Sequence, residues 1–94
     1  MDEIQIKFTL SERDLIINHT FAYSDLTNKL QFAEIMGNQI IVKYSTGALD
    51  DLIGFIALEA YYPANKKLGK EFNILIEKLI RIRKTNMGGN LINE

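Results

Sequence analysis

The chain has 94 residues, of which 47% are hydrophobic and 24% are charged, and its formal net charge is −1. This length predicts one domain, and this composition excludes a fully disordered chain. The absence of cysteine excludes disulfide bonds, thiolate metal sites and cysteine nucleophiles.

The N-terminal segment predicts a strand followed by a short helix. Ile4, Ile6 and Phe8 alternate with polar residues, which is typical of a strand with one face on a core. Ser11 is followed three residues later by an acid, which is the spacing of a helix cap. A short helix is therefore expected over residues 12–19.

A second helix is expected to follow directly. Ser24 offers an N-cap, and Gly37 can adopt the left-handed conformation that ends a helix. The apolar residues between them recur mostly at helical spacing and should face the core. These are Leu26, Leu30, Phe32, Ala33, Ile35 and Met36.

A second strand and a third helix come next. Residues 39–44 predict a half-buried strand, with Ile40, Val42 and Tyr44 on one face and Ile41 and Lys43 on the other. Ser45 can cap the helix that Pro63 ends. Only three acids interrupt this helix, so burial on more than one side is expected. Gly54 lies in its interior, where glycine costs about 1 kcal/mol relative to alanine unless another backbone packs closely against it.

The last helix is predicted over residues 66–84. Its apolar residues recur at spacings of four, three, four and three, the seam pattern of paired helices. They are Leu68, Phe72, Leu75, Leu79 and Ile82. Residues 85–94 show no periodicity and predict a flexible C-terminal tail.

The element order is therefore βααβαα, which predicts a single α+β domain over residues 1–84. Its two-stranded sheet should be covered by a C-terminal antiparallel pair of helices. A two-stranded sheet is weak in water and has two open edges, so helices must cover it or a second chain must extend it.

Self-association is the function that this pattern favours. The apolar faces exceed what one small core needs, so we expect a non-catalytic protein-interaction module that forms a homodimer or a larger assembly. A monomer that hides the same faces internally is the alternative. The expected interface lies on the C-terminal helix pair and comprises Tyr61, Tyr62, Leu68, Phe72, Leu75 and Leu79.

The charge is divided unevenly along the sequence. Residues 1–59 contain four basic and nine acidic residues, a net charge of −5, whereas residues 66–84 contain seven basic and two acidic ones, a net charge of +5. The basic helix could bind an acidic macromolecule or the phosphates of a nucleic acid, which is the alternative function. Its basic residues are Lys66, Lys67, Lys70, Lys78, Arg81, Arg83 and Lys84.

No residue pattern indicates an enzyme, a metal or a cofactor. His19 is the single histidine, and no motif surrounds it, so a surface position is favoured over a general base. Asp50 and Asp51 are adjacent and point about 100° apart on a helix, which does not suit a metal site. The glycines form no phosphate-binding loop.

The sequence also predicts a cytoplasmic protein. Residues 1–3 are acidic rather than basic at their polar positions, which argues against a signal peptide. The longest apolar runs are far shorter than the roughly 20 residues that cross a bilayer, so no membrane partner is expected.

Overall fold

The computed structural model describes residues 3–92 of the chain, with the side chains of residues 3–86. It contains two strands and four helices in the predicted order βααβαα, which confirms the α+β class. The elements are β1 (Glu3–Thr9), α1 (Leu10–His19), α2 (Ser24–Gln31), β2 (Gln39–Ser45), α3 (Thr46–Tyr61) and α4 (Lys66–Ile92).

The two strands form an antiparallel sheet in which Ile6 lies opposite Val42. Alternate side chains of both strands are buried, so the predicted period of two is confirmed. The opposite face of the sheet carries mostly polar side chains and stays largely exposed. The sheet therefore has one core face and one solvent face.

All four helices contribute to a single core on the inner face of the sheet. Tyr44 from β2 is the largest fully buried side chain, and its hydroxyl donates a 2.6 Å hydrogen bond to the backbone carbonyl of Leu26 in α2. Four residues connect α3 to α4, and these two helices pack against each other. Other buried residues are Ile16, Leu30, Leu49, Leu52, Ile56, Phe72, Leu75 and Leu79.

Helix α1 begins two residues earlier than predicted. Thr9, not Ser11, is the N-cap: its hydroxyl accepts from the Glu12 amide, and the Glu12 carboxylate accepts from the Thr9 amide. This reciprocal pair is a capping box that joins the end of β1 directly to the helix. The Ser45 cap of α3 is confirmed, since its hydroxyl accepts from the amide of Ala48 at 3.1 Å.

Helix α2 is shorter than predicted, because it ends at Gln31 rather than near Gly37. The chain must instead turn back to place β2 beside β1. Met36 and Gln39 exchange backbone hydrogen bonds across a two-residue turn, and Gly37 adopts a positive φ of 69° within it. The predicted cap at Ser24 is also absent, since the helix begins at that residue and the N-cap Tyr23 provides no side-chain bond.

Helix α4 is longer than predicted. It continues from Lys66 to Ile92, so the expected tail over residues 85–94 is helical as far as the structure describes it. No proline, the residue that most strongly disfavours a helix interior, stands between Lys66 and Ile92. Residues 93 and 94 lie outside the described part of the chain.

Two helical glycines are expected to respond oppositely to the same substitution. Gly54 in α3 is exposed and has no atom within 4 Å of the position that a Cβ would take, so no other backbone packs closely against it. Gly54→Ala should raise the free energy of unfolding by about 0.5–1 kcal/mol. Gly69 in α4 is buried, and its Cβ would lie 3.0 Å from Cγ of Pro63.

Gly69→Ala should therefore give no such gain, because displacement of the Pro63 ring offsets the better helix propensity. Urea denaturation followed by circular dichroism at low protein concentration measures both variants. Equal gains for the two variants would show that the contact between α4 and Pro63 is looser than the structure indicates.

Candidate interaction surfaces

The apolar seam that the sequence predicts on α4 packs within the chain itself. Phe72, Leu75 and Leu79 are at most 1% exposed and belong to the core that α4 shares with the sheet and α3. Leu68 is half-buried against the same core. In this fold these four residues therefore contact the core of their own chain, and the uncovered part of the expected interface is Tyr61 and Tyr62.

The remaining two interface residues, Tyr61 and Tyr62, are exposed at the corner between α3 and α4. Their side chains are 78% and 72% accessible, and their rings meet edge-to-face with centroids 5.1 Å apart. Tyrosine buries a large area when it is covered, so two adjacent exposed rings leave much apolar surface in water.

The exposed apolar surface continues along α3 away from the corner. Leu58 is 52% exposed and lies three and four residues before the tyrosines, so it neighbours both on the helix surface. Phe55 lies one turn further back and meets Tyr23, which precedes α2, with ring centroids 4.9 Å apart. We call these five residues the α3 outer patch: Tyr23, Phe55, Leu58, Tyr61 and Tyr62.

The α3 outer patch is the uncovered side of the helix that the sequence predicted to be buried on more than one side. The core side of α3 is formed by Leu49, Leu52 and Ile56. On the other side, Gly54 leaves a notch next to the patch, and Asp51 is exposed one turn before that notch. Ile53 and Phe55, on the two flanks of the helix, are partly buried against the core, so the uncovered part of α3 is the side that carries Leu58 and Tyr61.

Both edges of the sheet are occupied by lysine side chains. Lys78 of α4 donates from Nζ to the carbonyl of Lys7 on β1 at 2.6 Å, and Lys29 of α2 donates to the carbonyl of Lys43 on β2 at 3.0 Å. In antiparallel pairs alternate residues point their backbone groups outward, and these two carbonyls do so. Charged side chains at strand edges oppose pairing with another strand.

The basic residues of α4 fall into two groups. Lys78 also pairs with Glu12 at 2.6 Å, and Arg83 pairs with Asp50, so these two are used to hold α4 onto α1 and α3. The hydrogen bonds that the Arg83 guanidinium donates to Asp50 raise the pKa of Arg83 above its usual value. The other five are exposed. They are Lys66, Lys67, Lys70, Arg81 and Lys84.

The described residues contain no recognisable catalytic arrangement. His19 is exposed at the end of α1, beside a surface groove that Asp14 and Glu71 also line. Asp14 is paired with Arg13 at 2.9 Å. Among residues 3–92 no group of three or more histidines and carboxylates could hold a metal ion. Burial raises the pKa of Tyr44 far above its usual value, but this hydroxyl is bonded within the core.

A second set of exposed apolar residues was not predicted. Phe32, Ile35 and Met36 were expected to face the core, but they follow the early end of α2 and are 45–75% exposed. Phe21, between α1 and α2, is 83% exposed. No sequence signal separates them from core residues, because their spacing fits a helix that the chain does not form.

A comparison with known proteins finds no matching family model, no similar curated protein and no similar solved structure. Within the described residues, no helix combines the length and apolarity that a membrane span requires. The features of this chain that bear on its function are therefore its exposed surfaces: the α3 outer patch and the exposed basic residues of α4.

Proposed function

We propose that this chain is a non-catalytic module that self-associates, and that two copies pair through the α3 outer patch. The observation that carries the proposal is the uncovered apolar side of α3, where Leu58, Tyr61 and Tyr62 are each more than half exposed. Contiguous exposed apolar surface of this kind marks sites of protein association.

The occupant that fits this patch best is a second copy, because the patch complements itself. In a two-fold dimer, antiparallel α3 helices that cross at Leu58 place residues equally distant from Leu58 opposite each other. Gly54 then receives the partner's Tyr62, so that an aromatic ring fills the glycine notch. The same contact forms twice, as a two-fold interface requires.

The charges near the patch agree with this arrangement. The same crossing places the exposed Asp51 opposite the corner that leads into α4, which begins with Lys66 and Lys67. An acidic start of α3 therefore meets a basic corner of the partner, and such complementarity fixes the register of an interface. Parallel α3 helices would instead place Asp51 beside its own counterpart.

The size of the patch predicts a modest affinity. A tyrosine buries roughly 150–250 Å² when it is fully covered, and the three tyrosines of the patch are only 60–78% exposed, so the patch supplies part of the ~800 Å² that each partner buries in a standard interface. We therefore expect a reversible dimer with a dissociation constant on the order of micromolar.

Leu58→Asp should abolish dimer formation while the domain stays folded, because it places a charge at the centre of the interface on a residue that is already half exposed. Gly54→Leu should act in the same direction by filling the notch. Ile74→Asp is the matched control, since Ile74 is an exposed aliphatic residue of α4 outside the patch.

Sedimentation equilibrium over a wide range of concentrations measures the mass of each variant, and circular dichroism confirms its fold. The proposal requires a dimer for wild type and Ile74→Asp and a monomer for Leu58→Asp. It would be overturned by a wild-type monomer at every concentration, or by a Leu58→Asp variant that associates as strongly as the control.

A further inference from the structure

We infer that the exposed basic face of α4 binds the phosphate backbones of double-stranded DNA. The surface consists of the five basic residues that have no internal role, and we call it the α4 basic stripe: Lys66, Lys67, Lys70, Arg81 and Lys84. This inference uses a different helix and none of the residues of the α3 outer patch. The proposed dimer places Lys66 and Lys67 near Asp51 of the second copy, so the test below leaves these two lysines unchanged and reverses Lys70 and Arg81.

The stripe is a single face of one helix. Lys66, Lys70, Arg81 and Lys84 lie at separations of four, eleven and three residues, which bring them within a narrow sector of the helix surface. Lys67 lies at the edge of this sector. Among the side chains that the structure describes, none of the five is in an ion pair. Glu77 is the one acid within the sector, so the stripe has a net charge of +4.

The N-terminal charges of the stripe do not stabilise the helix that carries them, whereas Arg81 follows Glu77 at the favourable i, i+4 spacing. Lys66 and Lys67 stand in the first turn of α4, which contains no acid, and the positive end of the helix dipole disfavours cations there. Lys66 and Lys70 are also like charges at the i, i+4 spacing, which is mildly destabilising. Charges that oppose their own helix and lack internal partners are those expected to meet an anionic molecule.

The spacing of the stripe favours a duplex over a single strand. The charges form two clusters, and Lys70 and Arg81 are separated by about 16 Å along the helix axis. Between the clusters lie the exposed Ile74 and Glu77, so there is no continuous cationic track for one strand. The major groove of B-form DNA is about 12 Å wide, so a helix across it can bring each cluster to the backbone of a different strand.

The rest of the chain favours one orientation on the DNA. Residues 1–59 have a net charge of −5, which directs the acidic part of the molecule away from phosphates. No base-specific contact follows from these residues, so the binding is expected to be independent of sequence and strongly dependent on salt.

Fluorescence anisotropy with a labelled duplex of about two helical turns tests the inference on the full chain. Four or five phosphate contacts predict that affinity falls on the order of a hundredfold between about 50 and about 200 mM salt. The double variant Lys70→Glu/Arg81→Glu should weaken binding at least tenfold and reduce the salt slope by about two contacts or more. Sedimentation equilibrium checks that this variant keeps the oligomeric state of wild type, so that a loss of DNA binding is not caused by a loss of the dimer.

Two charge-reversed residues elsewhere provide the control. Lys7→Glu/Lys43→Glu makes the same change in net charge on the solvent face of the sheet, where both side chains are exposed. The inference requires this variant to bind within about threefold of wild type, since distant exposed charges are screened by salt. Equal losses in the two double variants would show attraction by net charge alone.

Three further probes separate the possible partners. A single strand of the same length and an A-form RNA duplex should bind more weakly than the DNA duplex, because neither presents two backbones across a wide major groove. Poly-glutamate represents an acidic protein. Tighter binding of poly-glutamate or the single strand than of the duplex, or no duplex binding at low salt, would overturn the inference.

Discussion

A Phe72→Ala variant is expected to lose about 3–5 kcal/mol in free energy of unfolding, because it removes a buried aromatic ring and leaves a cavity. Phe72 is 1% exposed and lies in the core that α4 shares with the sheet. The total free energy of unfolding of a domain of this size is about 5–15 kcal/mol, so the variant should be close to unfolding at room temperature.

The Phe72 result separates a core residue from an interface residue. If the ring stabilises the fold of one chain, its loss lowers the urea midpoint equally at low and high protein concentration. Ile74→Ala is the control on the same helix, because Ile74 is 65% exposed and should change stability by no more than about 0.5 kcal/mol. A stability loss at Phe72 that grows as the protein concentration rises would indicate that the residue lies between chains, because only the wild-type protein would then gain stability from association.

The stability of the chain should also fall as pH rises above about 10, with Tyr44 as a principal cause. Burial raises the pKa of this hydroxyl in the folded state, so Tyr44 stays protonated there. In the unfolded chain a tyrosine ionises near pH 10. Above that pH the unfolded state holds fewer protons than the folded state, so the free energy of unfolding drops by about 1.4 kcal/mol per pH unit from this group.

Tyr44→Phe checks the assignment. At about pH 8 the variant should lose roughly 0.5–1.5 kcal/mol, because it no longer donates to the Leu26 carbonyl. Between about pH 10 and pH 11 its stability should decline less steeply than that of wild type, since the unfolded state has no ionisation to gain at this position. Parallel curves for the two proteins would assign the alkaline loss to other groups.

The sequence predicted the element order and most of the core because those follow from local periodicity. Alternation in β1 and β2 identified the buried faces of both strands, and the seam of α4 identified Phe72, Leu75 and Leu79 as its packed side. What the periodicity did not provide was the identity of the molecule that covers each face. The α4 seam is covered by the chain itself, whereas part of α3 is not.

Element ends were harder to predict because they depend on tertiary constraints. Thr9 and Ser11 both precede an acid at capping distance, and the sequence alone does not choose between them. The pairing of Thr9 with Gln39 selects Thr9 as the cap, because β1 ends at Thr9, where β2 begins on the opposite strand. The same pairing shortens α2, because the chain must reach Gln39 from Gln31.

The candidate surfaces were predictable only in part. Tyr61 and Tyr62 were predicted as interface residues, and the structure leaves both of them exposed. The separation of the α4 basic stripe from Lys78 and Arg83 was not predictable. Their acidic partners, Glu12 and Asp50, are 66 and 33 residues away in sequence, and only the packing of α4 brings them together.

The lysine bonds at the two sheet edges have a consequence for the order in which the chain is made. Lys29, which bonds to the outer edge of β2, is synthesised before that strand. Lys78, which bonds to the outer edge of β1, lies 71 residues after Lys7 and is synthesised much later than β1. During synthesis β1 and β2 can therefore pair before Lys78 is available to bond to the outer edge of β1. The docking of the last helix completes the core and closes that edge in one step, which shortens the time during which neighbouring nascent chains could add a strand.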